Sequence, residues 1–172
     1  MDRRERGFSL IELAIAAAIA AVLALAAAPG WVAFVQRQQL IAAQDHLYRL
    51  IQQTQQLAIA QRSPWQVSFQ GRPSETGIST VEWARQSSQS LPQQWRPIQA
   101  AAHIHIDDAT STVRQTSGIY QIQFDHQGYV VGRLGRLTLQ GHRSGLRRCV
   151  VISTRLGALR KGRGTHQGEE CG

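Results

Sequence analysis

RRERGFSLIELAIAAA, residues 3–18, changes character at Gly7. Arg3, Arg4 and Arg6 precede that glycine, and an apolar run follows it, interrupted by Glu12. From Phe8 to Val35, Glu12 is the only ionisable side chain, and Leu13 to Ala28 is built from Ala, Ile, Leu and Val alone. As a helix, residues 8–28 would extend roughly 31 Å, about the hydrocarbon thickness of a bilayer. One membrane span is expected within residues 8–35, and no second stretch can supply another. Positive charge ahead of a span tends to stay cytoplasmic, so the remainder is expected on the outer side. Cys149 and Cys171 suit that placement and are expected to pair, closing a loop worth roughly 3 kcal/mol. The alternative is two unrelated thiols.

The helical pattern continues past Pro29-Gly30, a natural kink site. Leu40, Leu47, Leu50, Ile51, Leu57 and Ala58 form one apolar stripe at helical spacing. Good helix formers fill the gaps, and Ser63-Pro64 ends the pattern. A single helix over 8–61 is therefore expected, membrane-embedded first and amphipathic second. Beyond Pro64 the period becomes two. Trp65–Phe69, Ile104–Ile106 and Tyr120–Phe124 alternate cleanly, and further strands are expected at Val81–Arg85, Tyr129–Val131, Arg136–Gln140, Cys149–Ser153 and Gly157–Arg160. Gln86–Pro97, rich in Gln, Ser and Pro, reads as an exposed loop. The fold class is α+β: a long N-terminal helix packed on a mostly antiparallel β-sheet domain over 64–172.

Glu12 carries a cost of several kcal/mol within a membrane unless a partner offsets it. A secretory signal peptide would be cut after the apolar run and leaves Glu12 unexplained. A plain signal anchor would let it snorkel. A cut between Gly7 and Phe8 would instead create an α-amino group on Phe8, one helical turn from Glu12. The stretch GFSLIEL resembles the type III signal of prepilins, which combines a short basic leader (residues 1–7), the glycine, an aromatic, and a glutamate at the fifth position after the cut. The resemblance implies cleavage after Gly7 by prepilin peptidase, methylation of Phe8, and pairing of Glu12 with the amine of an adjacent pilin subunit. It also implies a helix-bending role for Pro29. The implied location is the bacterial inner membrane, single-pass, with a periplasmic C-terminal domain, and then a filament.

Beyond the helix, FDHQGYVVGRLGRLTLQ (124–140) and LRRCVVISTRLGALRKG (146–162) resemble the GspH/FimT type of minor pilins and pseudopilins. Phe124 to Gly128 and Val150 to Ser153 follow that pattern. Gly157-Ala158-Leu159-Arg160 keeps only the first Gly and last Arg of its Gly-Arg-x-Arg element. The expected function is a minor pilin or pseudopilin subunit of a type IV pilus or a type II secretion system. Charge adds a second reading. The net charge is +8, residues 8–125 are neutral in sum, and nine cations crowd residues 126–172 against Glu169 and Glu170. Arg133, Arg136, Arg147, Arg148, Arg155, Arg160, Lys161 and Arg163 are thus candidate DNA contacts, of the phosphate-binding and sequence-independent kind, and the resemblance to FimT-like proteins implies natural transformation as the setting. A third reading is an anchored periplasmic domain that never assembles.

Little points to catalysis. There is no nucleophile elbow, phosphate-binding loop or paired catalytic carboxylate, so the chain is read as a non-enzyme without a cofactor. His103, His105 and Asp107 share one strand face, but Ile104 and Ile106 are expected to face the core while the polar trio faces water, and no metal is expected. Asp107-Asp108 reads as a turn.

Overall fold

The computed structural model describes residues 9–72, 80–87, 94–98, 103–142 and 144–164, with backbone alone at 26–29. The leader, Gly7, Phe8, Arg143 and Cys171 lie outside the described residues. Two compact units result, Met1–Val35 and Gln36–Gly172.

Helix α1 (Leu10–Gln61) contributes to both units. Among the described residues no single helix is long and apolar enough to cross a membrane; Leu10–Leu25 and Gly30–Gln61 pass that test together. The expected span falls on this pair, with Pro29 in helical backbone between them. At the far end, Ser63 N–H donates to Ala58 O and Arg62 N–H to Ile59 O, both at 3.3 Å. This is a Schellman closure with Arg62 at φ +48° in the position glycine usually takes, and Pro64 prevents continuation.

Among the described residues, ten antiparallel strands follow. They are β1 (Trp65–Arg72), β2 (Thr80–Gln86), β3 (Arg96–Pro97), β4 (Ile104–Ile106), β5 (Arg114–Thr116), β6 (Ile119–Phe124), β7 (Val130–Val131), β8 (Arg136–Gly141), β9 (Arg147–Ile152) and β10 (Leu159–Gly164). The first sheet runs β3-β2-β1-β6-β5, with β7 also on β6; the second runs β10-β9-β8-β4. Two of the three clean alternations lie side by side, with Trp65 opposite Phe124, Val67 opposite Ile122 and Phe69 opposite Tyr120. Residues in register share a face, so five large buried side chains and half-buried Trp65 form one apolar surface. Leu137, Leu139, Val150 and Ile152 supply the second sheet's share, and Leu40, Leu47, Leu50, Ile51 and Ala58 of α1 join both in one core.

Three expectations change. Arg96-Pro97 is a short edge strand pairing with Glu82 and Trp83, in place of loop, and Ile98 beyond it is buried. A proline is tolerated at such an edge because its missing N–H faces away from the ladder. The last strand starts at Leu159, with Gly157 in the turn before it, and runs on to Gly164. Asp107 is buried rather than facing water. It accepts from Ala109 N–H and the Thr110 hydroxyl, while His103 sits at φ +66° before β4 begins.

Candidate assembly helix and basic face

Among its described residues, the first unit is a helix with no core of its own. Every described side chain from Ser9 to Leu25 is exposed, among them Leu10, Ile11, Leu13, Ile15, Ile19, Val22 and Leu23. An apolar surface of this extent calls for lipid or other helices. Ten alanines between Ala14 and Ala28 keep it narrow, which suits close helix packing. Glu12 lies in the first turn, where the helix dipole favours a negative charge.

In the second unit, two glutamines fasten α1 to the sheets. Gln44 sits on the apolar stripe, four residues after Leu40 and three before Leu47, and is 2% exposed. Its amide donates to Cys149 O at 2.7 Å on β9 and to Gly162 O at 2.9 Å on β10. These carbonyls belong to residues directly opposite each other. Three turns along, the Gln55 amide donates to Gly128 O at 3.0 Å and Leu156 O at 2.8 Å. It thereby ties together the turn after β6 and the turn before β10. Both turn glycines are obligatory here. Gly128 has φ +84°, and a Cβ there would fall 2.7 Å from Ile59 Cδ1. Gly157 has φ +78°, and its Cβ would enter the Gln55 amide. Gly128 and Gly157 are the two glycines of the resemblance, and α1 is what requires them.

The eight candidate cations do not share one surface. Register places Arg148, Lys161 and Arg163 on the face of the second sheet turned to α1, with Arg148 directly opposite Arg163. Lys161 Nζ is 2.8 Å from Asp45 Oδ1 and 4.8 Å from the Tyr48 ring centre. Burial, then the charges of Arg163 and Arg37, pulls the Arg148 pKa down, while Asp45 opposes that shift. Arg37, two residues beyond the apolar segment, was not among the sequence candidates; its place one helical turn before Leu40 was the only signal for it. Arg136, Arg147 and Arg160 lie on the opposite face. Arg136 Nε donates to Thr110 O at 2.8 Å. Arg147 Nε is 2.9 Å from Asp107 Oδ2, an ion pair whose N–H is not aligned on the oxygen. Arg133 and Arg155 are exposed in loops. Cys149 is fully buried on β9. Tyr120, buried and donating to Asp108, has its pKa pushed upward by burial first and by that hydrogen bond second.

The sequence matches two family models: the prokaryotic N-terminal methylation motif over residues 2–28, and the type II transport protein GspH over residues 43–157. No curated protein matches it significantly. Solved structures similar to it include the type IV minor pilin FimU of Pseudomonas aeruginosa, 17% identical, covering 74% of this chain and 90% of that one at a TM-score of 0.46. The minor pseudopilin EpsH from the type 2 secretion system of Vibrio cholerae is 16% identical over 75% of this chain and 97% of that one, at a TM-score of 0.39. The GspH model takes in more than half of the residues, including α1 from Ala43 and both turn glycines, so this chain belongs to the GspH family and begins with a prepilin-type methylation motif.

Proposed function

We propose that the chain is a minor pilin or pseudopilin, cut after Gly7 by prepilin peptidase, methylated at Phe8, and assembled with other pilins through α1. The observation that carries this reading is the division of one helix. Its first part, within the methylation motif, exposes every described side chain. Its later part supplies Leu40 to Ala58 to the core of the β domain. Before assembly the apolar part rests in the inner membrane with the β domain on the periplasmic side. In the filament, Glu12 neutralises the amine of a neighbouring Phe8, since a buried carboxylate is tolerable only when paired. Cys149 and Cys171 form a disulfide across the end of the basic region; the support is that Cys149 is fully buried and no described cysteine is a free thiol. N-terminal mass spectrometry of the mature protein tests the proposal. A chain starting at N-methylated Phe8 is expected, and retention of Met1–Gly7 overturns it.

A second reading, DNA capture, has support in four exposed arginines, Arg133, Arg155, Arg160 and Arg163. Arg136 and Arg147 are occupied by internal partners, which narrows the set available to phosphates. A triple R155Q/R160Q/R163Q variant that leaves gel-shift affinity for DNA unchanged at low salt would remove this reading.

A further inference from the structure

The clearest unclaimed chemistry lies away from the basic end, at the β3 edge of the first sheet. A cavity of about 220 Å³ opens there, lined by Leu57 of α1 and by Trp65, Trp83, Ala84, Arg85, Gln94 and Arg96. Two tryptophans and two arginines meet here.

The lining is one-sided in both charge and hydrogen bonding. Arg85 and Arg96 are its ionisable members, and both are cationic. Their guanidinium carbons lie 5.3 Å and 5.9 Å from the Trp83 ring centre, so one indole holds both charges in place. Glu82, the adjacent carboxylate on β2, alternates to the other face and bonds Arg72 at 3.1 Å. Trp65 Nε1, Trp83 Nε1 and Arg85 Nε are buried donors with no protein acceptor among the described residues, although Arg85 Nη2 does reach Gln53 Oε1 at 3.2 Å. Burial first, and then Arg96, lowers the Arg85 pKa. Buried N–H groups without acceptors are costly, and three around one cleft, beside two like charges, describe a receptor for an acceptor-only anion.

We propose that this cleft receives an acidic side chain, flanked by an apolar one, from a neighbouring subunit of the filament. The carboxylate lies between Arg85 and Arg96, where it takes the fork of a guanidinium and the free indole N–H groups. The apolar neighbour lies on Leu57 and the Trp65 ring. Size favours a peptide over a nucleotide, because the volume is below the roughly 300 Å³ at which small-ligand pockets begin. Position favours a subunit contact, because β3 is the end strand of the sheet among the described residues. The inference rests on the proposed filament role for the identity of the partner.

The test uses the full-length, 15N-labelled protein in detergent micelles, with the indole N–H resonances of Trp65 and Trp83 as the reporters. Acetyl-Leu-Glu-amide is titrated against acetyl-Leu-Gln-amide and deoxyadenosine monophosphate. Saturable shifts of both resonances are expected with the glutamyl peptide, at an affinity at least about tenfold above the glutaminyl one. R85Q and R96Q should each weaken binding about tenfold, the change that goes with losing one charge-assisted contact. Arg96 is exposed at the edge, so R96Q leaves the core intact. Equal response to both peptides, no saturable shift up to peptide solubility, or tighter binding of the nucleotide overturns the proposal. Leader processing is read separately: an uncut leader leaves this titration valid, and a failed titration leaves the processing result standing.

Discussion

Replacing Gln44 with leucine removes a side chain that hydrogen-bonds α1 to β9 and β10 at once. The change keeps the volume roughly constant, so its effect is on hydrogen bonding rather than on cavity formation. Two carbonyls, Cys149 O and Gly162 O, lose a donor inside a site that is 2% exposed. Each bond contributes about 0.5–1.5 kcal/mol net, and a buried acceptor left without a partner costs about 1–3 kcal/mol. Added apolar burial by leucine offsets about 1 kcal/mol. The balance is a loss of about 2–3 kcal/mol, or roughly 6–9 °C in melting temperature for a domain of this size. Near-UV circular dichroism of the full-length protein in detergent is the suitable assay, because its signal comes mainly from buried aromatics such as Tyr120 and Phe69. A Q44L midpoint within about 2 °C of the parent would refute the argument. Q44E sharpens it. A carboxylate facing two carbonyls is repelled and desolvated, so its folded pKa is raised above the unfolded value. The unfolded chain then binds fewer protons than the folded one, and the stability of Q44E should rise as pH falls toward about 4, opposite to ordinary acid denaturation.

Two further outcomes follow from named geometry. G157A should cost about 2–4 kcal/mol, combining a left-handed conformation with intrusion on Gln55, whereas G118A, at φ +78° in open space, should cost only about 1–2 kcal/mol; equal losses in denaturant midpoint would contradict the packing role given to Gln55. Burial, and then Arg49, lowers the His46 pKa, so below about pH 6.5 the unfolded chain takes up a proton before the folded one does. Stability should fall in the window just under pH 6.5, and H46Q should flatten that fall in a denaturation series across pH.

Much of the architecture is legible in residue spacing, and the exceptions have identifiable causes. Trp65–Phe69 and Tyr120–Phe124 announce themselves as strands because alternation fixes which face is buried, but alternation does not say which strand lies opposite, so their direct pairing was not readable. β3 was hidden by composition: Arg96-Pro97 belongs to a Gln- and Pro-rich stretch, and its strand character comes only from Glu82 and Trp83 beside it. β10 runs through Gly162-Arg163-Gly164, which has little intrinsic strand preference, because pairing with Arg147 to Cys149 overrides propensity. Gln44 read as one polar residue among many in a glutamine-rich segment. Its position on the apolar stripe was the available signal, since a polar residue there must either be buried with partners or break the stripe. The basic residues were countable from sequence, yet which face of the sheet each occupies depends on register and could not be counted.

The two parts of α1 place different constraints on substitution. From Leu40 to Ala58 the helix is fixed by the domain's own sheets, through a buried stripe and two glutamines whose amides fit particular carbonyls and turn glycines. From Leu10 to Leu25 its own unit offers no buried position, and any side chain of similar polarity and width would leave the folded β domain unaltered. Glu12 is the exception in that segment, because a carboxylate amid exposed Leu, Ile and Ala is not required by any fold-internal contact of the unit. Under the proposed processing its partner is the amine that cleavage would create at residue 8 of a neighbouring chain. In the proposed function the assembly signal is therefore separable from folding, whereas recognition of particular neighbours is not. In the proposed cleft it is carried by Arg85 and Arg96, whose positions depend on Trp83, on the β2–β3 edge, and hence on the fold itself.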